Sequence, residues 1–432
     1  MIAVLAKAVV TLAGLMSVPW LLGYFGDEQY ALWAIVATLA GWGSLLQFGF
    51  LGVLLNQTAH AYGKNDISRI GTLVQFVVVA LALVGSLASI LILAFADEIN
   101  WATLLNFNRH FSHHFVATCI VASLVPAFLS LPLRVAQPIL TGFQESFVWS
   151  LFEALTAISV LCCIWVCGEF SASILWLISS VAGASFLLFL VLFLYTFRVR
   201  HPPLLSSSLR SMRLSMGILL PLAAPFFFLQ VGYLLINNSQ AFVLAHFVSV
   251  DAVMKYAVLI TLIETCVGFI FVTTQSFLAP LREAYSRGDI DWFRTAKRRF
   301  LFFRIGFALL GGAALLMLGN QIIYWWIREH SFVVNFDLRL LLAVTMVGSV
   351  WVSSVSEILI VMDHVWSQVI CVLLNGCVTF GLSVWLAPKL GLVGIFVAFG
   401  GFTLLILSWV LPLILRPSER EWYKNLSELS RK

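Results

Sequence analysis

Three glutamates, Glu153, Glu264 and Glu357, lie inside long apolar runs of this sequence. A carboxylate in hydrocarbon is costly unless it meets water, a partner or a proton, so each is a candidate for proton or ion coupling. Each also sits in a polar stripe at helical spacing. Glu264 falls with Thr261, Thr265, Gly268 and Gln275; Glu357 with Thr345, Ser349, Ser353 and Ser356; Glu153 with Ser146 and Ser150. Gln230, Tyr233, Asn237 and Gln240 form a fourth stripe, and Lys7, Thr11 and Gly14 share one face near the N-terminus. A lone serine in such a place packs between helices. Stripes that include glutamates point instead to a water-filled central cavity, polar and roomy rather than strongly basic. Lys255 is nine residues from Glu264, about 180° around a helix, so its expected partner is Asp251, one turn away on its own face.

Other chemistry is thin, and no catalytic residue is assigned. His110, His113 and His114 have metal-ligand character, but with no evident fourth ligand they read as a solvated loop, and no metal or cofactor is called for. All seven cysteines fall inside apolar runs, where they act as small packing residues. There is no glycine-rich phosphate loop after a strand and no nucleophile elbow. Paired outer carboxylates, which a glycosyl-transfer site would need, are also missing. Trp101, Trp325 and Trp326 fit an aromatic belt and would equally stack on sugars.

The elements that carry these residues follow from composition. The chain has 432 residues, 61% of them apolar and 10% charged, with a mean hydropathy of +1.00. A soluble domain has about 25% charged residues, so this is an all-α integral membrane protein. A span needs about 20 apolar residues. About 12 transmembrane helices are expected, at 3–22, 31–55, 72–95, 114–133, 147–167, 173–196, 214–240, 252–279, 300–318, 338–361, 366–387 and 392–415. With the N-terminus inside, all but Arg109, Lys255, Arg328, Arg339 and Lys389 of the 25 basic residues fall on the inner side. Both termini are then cytoplasmic, and the +5 net charge reflects topology rather than nucleic-acid binding.

A basic loop at 281–299 has an echo at 59–71. Ala61-Tyr62 match Ala284-Tyr285, Lys64 matches Arg287, and Asp66-Ile67 match Asp289-Ile290, all at one offset. Trp33-Ala34 and Tyr256-Ala257 match at the same offset. The chain therefore reads as two pseudo-symmetric six-helix bundles, a parallel repeat of the kind found in transporters. Residues 1–198 form an N-lobe, 199–213 a proline- and serine-rich cytoplasmic linker, 214–415 a C-lobe, and 416–432 a cytoplasmic tail. Pro19 in the first span and Pro221 and Pro225 in its counterpart kink matching helices. Gly288 and Asp289 read as a turn and a cap.

The stretch LLGYFGDEQYALWAIVATLAGWGSLLQFGFLGVLLNQ at 21–57 resembles the opening of the Wzx-type polysaccharide flippases of the multidrug/oligosaccharidyl-lipid/polysaccharide exporter superfamily. AYGKNDI, LAPLREAYSRGDI and APKLGLVGIFVAF are similar to that family as well. Gln47 stands where the family often has an acidic residue before Phe-Gly, and Ala31 where it usually has glycine. The resemblance implies a carrier in the bacterial inner membrane rather than an enzyme. Its substrate would be an undecaprenyl-diphosphate-linked oligosaccharide, turned from the cytoplasmic to the outer leaflet for O-antigen, lipopolysaccharide or exopolysaccharide synthesis. Its partners would be the lipid bilayer and a polysaccharide polymerase complex, with no nucleic acid. On that reading Lys7 and Arg134 would meet the diphosphate at the inner entrance. Gln230, Tyr233, Asn237, Thr261 and Ser353 would line the cavity, and Glu153, Glu264 and Glu357 would contact glycan or couple an ion. The alternatives are a cation-coupled multidrug antiporter of the same superfamily and a membrane glycosyltransferase or polymerase.

Overall fold

Long runs with no water to bond their backbone must satisfy every N–H and C=O within the segment, and a helix does so. The computed structural model describes residues 2–64, 68–205, 212–274, 277–327, 333–362, 365–402 and 407–429, and these contain no β-strand. In chain order the helices are α1 (Ile2–Trp42), α2 (Phe50–Lys64), α3 (Ser68–Phe95), α4 (Trp101–Leu104), α5 (His113–Leu129) and α6 (Ala136–Gly142). They continue with α7 (Ser146–Glu169), α8 (Ile174–Leu194), α9 (Met212–Asn237), α10 (Ser239–Phe247), α11 (Val250–Thr274) and α12 (Leu278–Arg287). The last five are α13 (Ile290–Ile327), α14 (Phe336–Val361), α15 (Val365–Leu390), α16 (Leu392–Phe402) and α17 (Ser408–Leu429).

Nine helices among the described residues are long and apolar enough to cross a bilayer, or ten if His113–Leu129 and Leu133–Gly142 count as one bent span. The first of these, Leu5–Gln47, takes in the first expected span and most of the second. Gly26, at φ 75° and ψ 176°, breaks α1 between the two. The last expected span is divided between α16 and α17, and residues 403–406 lie outside the described residues. Large apolar side chains face outward at helical spacing, as Leu83 (67% exposed), Leu87 and Ile90 do on α3. Water would not tolerate such a surface, but lipid tails do. The chain is a multi-pass integral membrane protein.

Three expected loops or spans are corrected. The basic stretch 281–299 is helical, divided between α12 and the first turns of α13. Phe293, Ala296 and Phe300 recur at helical spacing and are buried, which places Arg294, Arg298 and Arg299 on the exposed side. A high charge count therefore hid an amphipathic helix. The turn and cap expected at Gly288 and Asp289 are present. Gly288 adopts φ 73°, its N–H reaches the Ala284 and Tyr285 carbonyls, and Asp289 Oδ1 accepts from Trp292 N at 3.0 Å. Of the matching stretch at 59–71, residues 65–67 lie outside the described residues.

The second correction is at 136–142, which continues past the expected end of the fourth span as α6 after a 49° bend. The third is that the second span is not continuous. Gly43–Gln47 tightens to a 3-10 turn, and Phe48 (φ 49°) and Gly49 (φ 73°) are left-handed. A Cβ on Gly49 would lie 2.6 Å from Phe227 N and against the Ala223 carbonyl oxygen, so α2 begins where it nearly touches the backbone of α9. The Gln47-Phe48-Gly49 motif is thus a packing corner, with Gln47 buried.

Contacts divide the chain into two compact units: Met1–Leu234 with Leu244–Ala257, and Leu235–Val243 with Val258–Lys432. The partition runs through α9 to α11; of the expected linker at 199–213, residues 206–211 lie outside the described residues. The first unit is built on Leu54, Val74, Leu81, Val135 and Ile139. The second is built on Phe293, Phe300, Val355, Ile358 and Leu411.

Candidate functional site

The bend between α5 and α6 has a local cause. Pro132 has no N–H to donate and disfavours helical geometry at the residue before it. Ser130 closes the gap. Its carbonyl accepts from Leu133 N at 3.0 Å and Arg134 N at 3.1 Å, and its hydroxyl donates to the Ala127 carbonyl at 2.7 Å. The corner aims Arg134 sideways into the first unit. Its Nε donates to Ser130 Oγ at 3.3 Å, and its guanidinium lies 4.7 Å from the centre of the Phe189 ring.

Arg134 lines a cavity of about 220 Å³ together with Trp33, Ser123, Ser130, Ser185 and Phe189. Its wall offers one fixed cation, several hydroxyls and aromatic faces, and no carboxylate lines it. An anionic group with hydroxylated, apolar-faced neighbours is complementary to such a wall. Arg134 was expected at a helix end but stands at a bend inside a span. Trp33, noted in the sequence only as a repeat marker, and the three serines were not read as site residues, because α1, α5 and α8 are brought together only by the fold.

Two of the three expected glutamates, Glu153 and Glu357, are matched with cations. Glu153 Oε2 is 2.6 Å from Lys7 Nζ, which ties α7 to α1, and Lys7 does not line the Arg134 cavity. In the second unit Glu357 Oε2 is 2.8 Å from Arg304 Nη1. Arg304 is wholly buried, donates from Nε to Thr274 Oγ1 at 2.7 Å, and lies between the Phe271 and Phe300 rings at 4.3 and 4.4 Å. The topology reading counted Arg304 as an inner helix-end cation. The signal for its burial was its place on the Phe293, Ala296, Phe300 stripe.

The remaining candidates are dispersed. Gln230 donates to the Ser44 carbonyl at 2.7 Å and so ties α9 to the Gly43–Gln47 turn. Tyr233 and Asn237 are exposed and fall in different units. Thr261 accepts at its carbonyl from Thr265 Oγ1 at 2.7 Å, and Ser353 donates to the Val350 carbonyl at 3.0 Å. Glu264 is exposed, and Gln275 lies outside the described residues. Thr345 and Ser356, expected on a wet stripe, are buried within the second unit. Lys255 pairs with Asp251 at 2.8 Å as its spacing predicts. His110 meets Glu28 at 2.7 Å and His114 meets Asp97 at 3.3 Å, and no group of three metal-ligating side chains occurs among the described residues.

No protein-family model matches the sequence, and no curated protein does. Solved structures do match the fold. An inward-facing multidrug resistance MATE family transporter of the MOP superfamily aligns with TM-score 0.71 over 97% of this chain and 96% of its own, at 15% identity. The fold is that of the MATE transporters. An outward-facing MATE structure gives the same TM-score at 15% identity, covering 98% and 95% of the two chains. The lipid II flippase MurJ, in an inward closed conformation, aligns with TM-score 0.70 at 14% identity over 98% of this chain and 89% of its own. The MATE fold thus accommodates both multidrug transporters and a lipid flippase.

Proposed function

We propose that this chain is a flippase. It turns polyprenyl-diphosphate-linked oligosaccharide repeat units from the cytoplasmic to the outer leaflet of the bacterial inner membrane, by alternating access of two lobes, for surface polysaccharide synthesis. The observation that carries this reading is the cavity at the α5–α6 bend, with its arginine, its serine hydroxyls and its aromatic faces. A guanidinium held against a ring and a hydroxyl is a preorganised partner for phosphate. Serine hydroxyls and the Trp33 indole suit a sugar, which has polar edges and an apolar face. A head group of this kind cannot cross bare hydrocarbon without a penalty of many kcal/mol, so a polar passage is the requirement that the protein meets.

A site for a cationic drug would be expected to present carboxylate to its ligand. Here Glu153 and Glu357 already hold Lys7 and Arg304, and no carboxylate lines the Arg134 cavity, which favours the flippase over the cation-coupled antiporter. Lys7 serves the inner entrance, and Glu264 remains a carboxylate for glycan contact or ion coupling. The termini are cytoplasmic on the positive-inside distribution of charge.

The test is a deletion strain assayed for lipid-linked repeat units. Accumulation of these units on the cytoplasmic side, relieved by the native chain and not by Arg134→Ala, is the expected result. Normal surface polysaccharide in the deletion strain, with restored efflux of cationic dyes on re-expression, would establish the antiporter instead.

A further inference from the structure

We propose a second, independent binding site in the second unit, at the corner between α12 and α13, for the head group of an anionic phospholipid. The corner encloses a groove of about 260 Å³ lined by Phe277, Pro280, Trp292, Thr295, Ala296 and Arg299. Its polar and apolar contributions are segregated along α13. Trp292, Thr295, Arg299 and Phe303 recur at three- and four-residue spacing, so they form one stripe down the helix. The order along that stripe is an indole, a hydroxyl, a guanidinium and then a phenyl ring, with Phe302 beside it 74% exposed.

This order matches a phospholipid lying along a helix. Arg299 and Thr295 donate to a phosphodiester, Trp292 sits at head-group level, and the acyl chains run over Phe302 and Phe303 into the bilayer. The charge around the groove has the right sign for an anionic lipid. Arg298 and Arg299 are exposed on the first turns of α13 and Arg282 on α12. Arg287 and Arg294 are also exposed but are paired with Glu283 and Asp291, which leaves the corner net positive. Basic pockets between spanning helices attract such lipids in general. The groove lies at the basic end of the candidate span Ile290–Ile327, which is the whole of α13, so hydrocarbon is met further along the same helix. A zwitterionic lipid would gain the apolar contacts but not the charge. Free phosphate would gain the charge but leave the aromatic stripe uncovered.

Native mass spectrometry of the full-length protein in detergent tests this, with phosphatidylglycerol and phosphatidylcholine of identical acyl chains added in turn. The wild type should retain phosphatidylglycerol preferentially. Arg299→Ala should weaken that retention by about fivefold and leave phosphatidylcholine unchanged, with Arg299→Lys intermediate. Because Arg299 is exposed, the variant should keep the wild-type unfolding temperature. If it does not, Thr295→Glu supplies a like charge at the same groove and should also expel phosphatidylglycerol. Equal retention of the two lipids, or full retention by folded Arg299→Ala, overturns the site. Displacement of phosphatidylglycerol by inorganic phosphate alone overturns the lipid assignment. Preferential retention of undecaprenyl phosphate overturns it too, and would make the groove part of the substrate path.

Discussion

Arg304 and Glu357 stand 2.8 Å apart in the second unit, the arginine wholly buried and the glutamate side chain 19% exposed. The pair joins α13 to α14, and Thr274 Oγ1 joins the arginine to α11. Removing one partner of a buried pair strands the other charge in a low dielectric, which costs more than the pair contributes while intact. Arg304→Ala should therefore lower stability by about 3 kcal/mol or more. Arg304→Met with Glu357→Leu should recover most of that loss. Unfolding of the purified protein in detergent measures both. A single variant as stable as wild type would show that Glu357 reaches solvent without its partner.

Lys7 and Glu153 form the corresponding link in the first unit, but their side chains are 37% and 25% exposed. Solvent screens such a pair, and its contribution is on the order of 1 kcal/mol or less. Lys7→Ala should leave the unfolding temperature nearly unchanged. Exchanging the charges, Lys7→Glu with Glu153→Lys, should keep stability but lower transport, because it removes the cation that serves the inner entrance on α1. Wild-type transport in the exchanged variant would reduce the pair to a tie between α1 and α7.

Gly49→Ala should be far more damaging than Gly52→Ala. At Gly49 the left-handed backbone costs an alanine about 1 kcal/mol or more, and the added methyl meets backbone atoms of Ala223 and Phe227. At Gly52 the obstructing atoms belong to the Phe226 side chain, which can rotate. The yield of monodisperse protein from membranes checks this. Equal yields of the two variants would mean that α2 and α9 separate readily.

Arg134→Ala should cut lipid-linked oligosaccharide translocation in proteoliposomes by about tenfold or more, with unfolding unchanged. Arg134→Lys should keep part of the activity, because it retains the charge and loses the planar fork that matches phosphate. Equal activity of wild type and Arg134→Ala would remove the cavity from the transport path.

What was legible in the sequence follows the range of the signals. Apolar run length gave most spans, since it is a local property set by bilayer thickness. The Gly288-Asp289 turn was readable because left-handed geometry and capping are decided by adjacent residues. The internal geometry of the spans was not. The break at Phe48-Gly49 falls inside an unbroken apolar run, and it exists because α9 crosses there. The Arg134 cavity draws on α1, α5, α8 and the α5–α6 bend, so no window of sequence contains it. Arg304 shows the hazard of counting charges: the positive-inside tally took it as an inner helix-end cation, while its helical register placed it in the core.

Helix α13 is 38 residues long and contains no proline, so it measures about 57 Å, nearly twice the ~30 Å of a bilayer's hydrocarbon. An uninterrupted helix has no joint at which to absorb a tilt. Any tilt of its basic end at Arg294–Arg299 is therefore carried whole to its apolar end at Ile327, as between the two arms of a lever, and the Arg304–Glu357 pair marks where along that length it is tied to α14.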